Sequence, residues 1–342
     1  MKFSIIVPAY NASEFIERCL KSLLNQDFSK DEFEVIVVDD ASTDTQNEII
    51  EKYIGNYYNL RLVRHSVNKR QGGARNTGFD YSKGAYIIFV DADDYWIRKD
   101  VLCCFDKLIS EYKCDIIEAL SSKTLCEDSS SRKIDSPCNI VRLLSRDDYF
   151  SLYDRHPYIW LDCYSRTIFE GIRFRENVAF EDGDWKAKVF FNARNILMIE
   201  FDYYCYYNNP TSTIRKGNID VFYANIDVNN ELLEFYLANL QGNPLKSSLN
   251  KLKRNIFSYL KISKEYSIQE SANVLRYASN TPLMNTSLYR LNSKEKMVFL
   301  VMKYAPFIIV MIIKWGVLLR RKIRKIFKLL AVNSVSKGFL GA

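Results

Sequence analysis

Histidine is nearly missing from this 342-residue chain, which holds only His65 and His156. That scarcity argues against a zinc cluster, whose donor sets draw on histidine and closely spaced cysteine. Cysteine occurs eight times but with no CxxC pair and no regular spacing, so neither a disulfide framework nor a dithiol redox motif is indicated. The adjacent Cys103 and Cys104 read as ordinary reduced, half-buried thiols. The opening residues, "MKFSIIVPAYN", read as a strand entering a turn and not as a signal peptide, and these features together fit a reducing cytoplasm. Basic residues are scarce where a nucleic-acid-binding domain would need them. Between 294 and 342, eleven Lys or Arg stand against the single acid Glu295, so the tail carries +10 of a +7 chain and everything before it is −3. A protein gripping a polyphosphate across its main domain would spread positive charge there, and nucleic acid is set aside.

What is present is a 48% hydrophobic composition, enough over this length for a sizeable core and more than one structural unit. The N-terminal third alternates strand and helix. Strands are expected at Phe3 to Val7, Phe33 to Val38, Leu60 to Arg64 and Ala85 to Val90. The stretch Ser13 to Asn25 carries Phe15, Ile16, Cys19, Leu20, Leu23 and Leu24 at helical spacing, with Asn11 or Ser13 available as a cap. Ser42 or Thr43 can cap the helix after the second strand. Such alternation predicts an α/β fold with a mostly parallel, Rossmann-like sheet flanked by helices, whose ligands sit beyond the carboxyl ends of the strands. That rule puts "PAYN", "DDASTD" and "DADD" on one rim.

In "IIFVDADDYW", residues 87 to 96, an apolar strand runs into three carboxylates within four positions. Such crowding is costly unless something cationic binds there. If the segment stays extended, Asp91 and Asp93 leave on the same side and converge on one ion. Oxygen donors suit Mg²⁺ or Mn²⁺, which complete their shells with water and substrate phosphates. The competing reading of a lone DxD is an acidic turn that caps the next helix.

The motif is not alone. "FSIIVPAYN" at the start, "EVIVVDDASTD" at 34 to 44, "NKRQGGARNTGFDYSKGAYIIFVDADD" at 68 to 94 and "GIRFRENVAFEDGDW" at 171 to 185 together resemble the inverting nucleotide-sugar glycosyltransferases of family 2, of the bacterial cell-surface polysaccharide type, in order and spacing over about the first 215 residues. The resemblance implies the GT-A fold. It also implies that Pro8 and Tyr10 lie against the nucleobase, that Asp40, of the pair Asp39 and Asp40, accepts a hydrogen bond from a uracil imide, and that Arg75 and Asn76 stand near the nucleotide. Gly72 and Gly73 would let the backbone come close there. Asp91 would face the ribose and share the metal, Mn²⁺ or Mg²⁺, which Asp93 holds. In the "ED" pair Asp182 would be the general base and Glu181 its orienting neighbour, with Asp184 a further acid in the same motif. The alternatives by residue chemistry are core packing for Tyr10, a rim ion pair for Arg75, and macrodipole-favoured acids at a helix start for the "ED" pair.

A base placed opposite the leaving group gives in-line displacement with inversion, so an α-linked donor would give a β-linked product. Elsewhere the sequence says less. Residues 121 to 136 are serine-rich and read as an exposed connection. Trp160 and Trp185 are candidates for stacking on sugar or for core, and Arg215 is a candidate for reaching the diphosphate. The expected organisation is a catalytic domain over 1–217, divided into a nucleotide-binding half at 1–105 and an acceptor half at 106–217. A helical extension follows at 218–295, suited to acceptor support or to homo-oligomer formation, and a basic amphipathic tail at 296–342.

In the tail, "YAPFIIVMII" is too short to span a bilayer and is bracketed by Lys303 and Lys314. Trp315, Arg320, Arg321, Lys322, Arg324, Lys325 and Lys328 suit an anionic membrane surface; packing on protein is the competing role. The sequence thus points to an enzyme at the inner face of the cell membrane. It would transfer a sugar from a nucleotide donor to a glycan or lipid-linked glycan. Three rival classes fit the residues less well. A sugar-phosphate nucleotidyltransferase would carry a glycine-rich, Arg-containing turn where "PAYN" stands. A haloacid-type phosphatase would carry its aspartates after the first strand. A non-catalytic nucleotide-sugar-binding protein is disfavoured by the intact Asp93 and Asp182.

Overall fold

The computed structural model describes residues 1–120, 123–125, 138–152, 158–209, 219–249, 266–282, 300, 303–304, 306–308 and 310–311. Most of the serine-rich connection, Arg215, residues 250–265 and the basic tail from Lys314 onward lie outside the described residues. The chain forms two compact units, Met1–Arg215 with Glu234–Ser248, and Lys216–Leu233 with Leu249–Ala342.

The first unit is built on β1 (Phe3–Ala9) and β2 (Phe33–Asp39), each buried along all seven residues. Strands covered on both faces need apolar residues at odd and even positions alike, which "FSIIVPA" and "FEVIVVD" supply. The other strands are β3 (Leu60–Arg64), β4 (Tyr86–Phe89), β5 (Tyr95–Trp96), β6 (Ile116–Ala119), β7 (Lys123–Leu125), β8 (Asn139–Ser145), β9 (Asp162–Ser165), β10 (Asn195–Glu200) and β11 (Tyr204–Tyr207). Eight of them form one sheet in the order β3-β2-β1-β4-β9-β6-β10-β8, and β5-β11-β7 form a small second sheet. The run β3-β2-β1-β4 is parallel, as is the β6-β10 pair, whereas β9 enters antiparallel between β4 and β6, and β8 closes the edge antiparallel to β10. This is the mixed α/β architecture of the GT-A fold. The chain steps from β1 outward to β2 and β3, then returns to β4 on the other flank of β1. A crevice opens at such a reversal, beyond the carboxyl ends of β1 and β4.

Pro8 sits inside β1 without breaking the ladder. Ala9 O accepts Asp40 N–H on the β2 side and Ile6 O accepts Val90 N–H on the β4 side. Pro8 therefore faces the β4 side, where pairing with β1 has ended at Phe89, so its missing N–H deprives no partner.

The helices are α1 (Ile16–Leu24), α2 (Gln46–Ile54), α3 (Arg70–Tyr81), α4 (Val101–Tyr112), α5 (Arg146–Ser151) and α6 (Glu181–Asn192). Ile16, Cys19, Leu20, Leu23 and Leu24 form the buried stripe of α1, as the spacing predicts. Its expected caps do other work. Phe15 is the N-cap, with no side-chain bond, while Asn11 Oδ1 accepts Thr43 N–H at 2.8 Å, Asn11 N–H donates to Ser42 Oγ at 2.9 Å and Ser13 N–H donates to Asp44 Oδ2 at 2.8 Å. The β1 and β2 loops are thus tied to each other. In α3, a Cβ on Gly78 would meet Ile6 Cγ2 at 2.3 Å, so glycine there lets the helix lie close on β1. Trp185 of α6 is buried, with Phe174 stacked on it at 4.1 Å and Phe89 and Tyr164 edge-on at 5.5 and 5.4 Å. It is core and offers no face to a sugar.

The second unit holds most of α7 (Asp220–Asn239) and α8 (Ile268–Ser279). Ser267 caps α8 in a reciprocal capping box with Glu270, Ala272, Val274, Leu275 and Ala278 are buried, and Tyr277 donates its hydroxyl to Asp227 Oδ1 at 2.8 Å. Among the described residues no helix is long and apolar enough to cross a membrane.

Candidate active site

The rim beyond β1 and β2 bears an exposed ring, Tyr10, and a buried carboxylate, Asp40. Tyr10 is 52% exposed, which excludes the core reading. The two neighbouring aspartates differ in their use. Both oxygens of Asp39 are committed within the loop and the start of α2, Oδ1 to Ser42 N–H and Gln46 Nε2 and Oδ2 to Asn47 Nδ2. Asp40 Oδ1 accepts Lys69 N–H at 2.8 Å and faces His65 Nδ1 at 2.7 Å, while His65 Nε2 reaches Thr77 Oγ1 at 2.8 Å. Asp40 Oδ2 takes no partner from another described residue, so it remains as an oriented acceptor.

Arg75 is the centre of the site. The guanidinium is buried, donates from Nη2 to Asp91 Oδ1 at 2.9 Å and from Nη1 to Glu181 Oε1, and lies over the Phe174 ring at 5.6 Å. One side chain therefore joins the acidic turn after β4 to the first residue of α6, although 106 positions separate Arg75 from Glu181. Burial opposes its charge, but Asp91, then Glu181 and Asp182, more than offset this and hold it protonated. Asn76 is turned elsewhere, exchanging two bonds of 2.9 Å with the Phe174 backbone. Gly72 also serves that loop, since a Cβ there would meet the Arg175 carbonyl oxygen at 2.0 Å. The close approach it permits is to the protein's own chain.

The "DADD" segment is a turn, closed by Asp94 N–H to Asp91 O at 3.0 Å, and its three carboxylates part company. Asp91 pairs with Arg75. Asp93 accepts from Asn209 Nδ2 at 2.9 Å, and burial followed by Asp91 raises its pKa. Asp94 points inward at 1% exposure, taking the Tyr204 hydroxyl at 2.7 Å and Tyr207 N–H at 2.8 Å; burial, then Asp91 and Asp93, push it up to about 9. Arg18, held between the rings of Tyr95 and Tyr207 at 4.4 and 4.7 Å, donates to Asp93 O at 2.9 Å. Among the described residues no group of three or more His, Cys, Asp or Glu is placed to hold a metal. Asp91 and Asp93 each keep an oxygen without a partner on another described residue. That pair fits a hard divalent cation that takes its remaining ligands from diphosphate and water.

Asp182 differs from both acids beside it. Glu181 is paired with Arg75, and Asp184 is buried with Lys188 Nζ at 2.7 Å and Arg175 Nε at 3.4 Å. Asp182, half-buried at the start of α6, takes no partner from another described residue. Burial, then Glu181, push its pKa up to about 7, against the pull of Arg75. A carboxylate with that value can take a proton from a hydroxyl near neutral pH. The backbone that aims these groups is strained, because Asn11, Ala41, Arg70, Asn177 and Phe180 hold φ between 50° and 63°, at about 1–2 kcal/mol each for residues other than glycine. Such outliers gather where a site over-determines its loops.

Sequence reasoning missed Asp94, Arg18, His65 and Asn209 as parts of the site. The third acid of "DADD" is plain in the sequence, but the direction in which it is buried cannot be read from it. Arg18 and Asn209 meet Asp93 from 75 and 116 positions away, and no local pattern signals that.

Residues 4–122 match the family described as Glycosyl transferase family 2. The chain is 32% identical over 219 residues to the uncharacterized glycosyltransferase EpsJ of Bacillus subtilis, covering 61% of this chain and 62% of that one. It is 30% identical over 237 residues to the uncharacterized glycosyltransferase YibD of Escherichia coli, covering 65% and 67%. Over 118 residues it is 44% identical to the poly(ribitol-phosphate) beta-N-acetylglucosaminyltransferase TarS of Staphylococcus aureus, which is 34% of this chain but 20% of TarS. The solved structure of S. aureus TarS 1-349 in complex with UDP-GlcNAc superposes with a TM-score of 0.73 at 22% identity, covering 92% of this chain and 91% of that one, a likeness of fold.

Proposed function

The chain belongs to glycosyltransferase family 2, and from that premise we propose that it transfers a sugar from a uridine diphosphate donor to a hydroxyl of a glycan or lipid-linked glycan, with inversion, in the synthesis of a bacterial surface polysaccharide. The observation that carries this reading is Arg75, whose guanidinium joins Asp91 of the donor turn to Glu181 beside the free carboxylate of Asp182. Two acidic motifs far apart in sequence thereby serve one reaction centre.

In this reading the exposed ring of Tyr10 stacks on uracil, with Pro8 beneath, and Asp40 Oδ2 accepts the imide N–H. His65 and Lys69 N–H fix that carboxylate from its other oxygen. Asp91 and Asp93 hold Mn²⁺ or Mg²⁺, which when bound stabilises the negative charge that builds on the departing diphosphate. Glu181 fixes Arg75, and Asn76 positions the 173–176 loop. Asp182 takes the proton of the acceptor hydroxyl as its oxygen bonds to the anomeric carbon and the bond from that carbon to the diphosphate breaks. A base without a neutralising partner, raised to about 7, suits that step, because a strongly paired carboxylate would be too weak a base.

The catalytic chemistry is assigned to residues 1–217, acceptor support or self-association to 218–295, and attachment to the inner, anionic face of the membrane to 296–342. The test is calorimetric titration with UDP, with and without Mn²⁺, for wild type and Asp93→Ala. Metal-dependent binding lost in the variant supports the reading; no binding to wild type under either condition overturns it.

A further inference from the structure

Beside its apolar stripe, α1 carries a polar seam at a spacing of four. Arg18 Nη2 donates to Asp93 O at 2.9 Å, and Ser22 Oγ accepts Trp96 N–H at 3.0 Å. Gln26, just past the helix, donates from Nε2 to Arg98 O at 2.8 Å and accepts Val101 N–H on Oε1 at 3.2 Å. Residues four apart stand above one another on a helix, so the seam follows the chain from the acidic turn to the start of α4. Ser22 and Gln26 satisfy backbone groups of that connection, and Arg18 is the member that reaches the turn bearing Asp91 and Asp93.

Arg18 grips a peptide plane that is held at its other edge as well. The carbonyl it binds and the N–H of Asp94 belong to one planar unit, and Asp94 N–H donates to Asp91 O at 3.0 Å. With both edges fixed, the rotation that follows the Asp93 Cα is fixed, and with it the direction in which the Asp93 side chain leaves the chain. The guanidinium is in turn located by Tyr95 and Tyr207, over whose rings it lies at 4.4 and 4.7 Å. Tyr95 is paired with Cys205, so Tyr207, two residues on, shares its face of the small sheet. Trp160, 7% exposed, stacks at 4.5 Å on Tyr204, which holds Asp94; it is packing for the turn and not a platform for sugar.

We propose that Arg18 is a positioning residue for the divalent cation of the donor: by fixing the main chain at Asp93 it presents that carboxylate to the metal. Arg18 binds the carbonyl and makes no ion pair with a carboxylate among the described residues, so the Asp93 carboxylate keeps an oxygen for the cation while Asn209 Nδ2 donates to Oδ2 at 2.9 Å. A planar guanidinium lies against two rings and still donates in its own plane, whereas a Lys ammonium is a compact point charge with no plane to lay on them. Lysine at this position therefore keeps the charge and loses the grip. This rests on the transferase reading above, in which Asp91 and Asp93 hold the metal.

The experiment measures free Mn²⁺ by electron paramagnetic resonance in titrations of the full chain at saturating UDP, for wild type, Arg18→Ala, Arg18→Lys and Ser22→Ala. Uridine affinity by NMR titration and the urea midpoint are read on the same proteins. Expected is a fall in Mn²⁺ affinity of about ten- to hundredfold in both Arg18 variants, the scale on which loss of a partner that orients a metal ligand acts, with uridine affinity near wild type. Ser22→Ala should lower the urea midpoint and leave Mn²⁺ affinity near wild type. The inference is overturned by Mn²⁺ affinity unchanged or raised in Arg18→Ala, by wild-type affinity in Arg18→Lys, by uridine and Mn²⁺ affinities falling by the same factor, or by an equal loss of Mn²⁺ affinity in Ser22→Ala. A wild type that fails to bind UDP and Mn²⁺ overturns instead the reading on which it rests.

Discussion

At the scale of single residues, Asp182 and Arg75 make opposite demands. A base acts only in its charged form, and because the pKa of Asp182 is raised to about 7, kcat should be small below that pH and rise through it. A pH–rate profile on a UDP-sugar donor checks this, and Asp182→Asn should lose about 10²–10⁴-fold in kcat while UDP binding persists. Arg75→Met leaves Asp91 and Glu181 without their buried counter-charge and should cost about 3–5 kcal/mol, read from the shift in urea midpoint. Asp182 stands out as the candidate base through the resemblance carried by the "ED" pair, but the reason for preferring it to Asp184 is not written in the sequence. That preference depends on Arg175 and Lys188 neutralising Asp184, a matter of where side chains point.

At the scale of elements, α6 carries the proposed base, Asp182, and is also a part of the core. Trp185→Ala removes the ring packed by Phe174, Phe89 and Tyr164 and should cost about 3–5 kcal/mol of stability, measured by denaturation; unchanged stability with weakened glycan binding would return Trp185 to the sugar. Gly72→Ala should push the 173–176 loop away from α3, at about 1–3 kcal/mol for overpacking, with a lower Tm and weaker UDP binding. Strands and helices of the N-terminal third were legible because buried parallel strands and an amphipathic helix write their periods plainly: β3 matches its expected bounds, and β1 and β2 extend beyond theirs by two residues and one residue. The caps of α1 were not, because Asn11 and Ser13 serve a neighbouring loop as readily as their own helix. Nor was the turn at Asp91 to Asp94, where Arg75, Asn209 and Tyr204 claim the carboxylates of Asp91, Asp93 and Asp94 from other parts of the chain.

At the scale of the whole molecule, charge is divided along the chain: +10 after residue 293 and −3 before it. Deleting residues 296–342 should release the protein from vesicles containing anionic lipid, and raising salt should weaken attachment of the intact chain. Cosedimentation measures both, and retention after the deletion would assign any attachment to the rest of the chain. The order of the large sheet has a further consequence, during synthesis. The partner that β4 receives on its outer side is β9, which leaves the ribosome roughly 70 residues later. At about 5–20 residues per second, the parallel half of the sheet waits on the order of 4–15 seconds with the apolar edge of Ile87 and Ile88 unpaired. In that interval a nascent chain is most open to a neighbour on the same messenger.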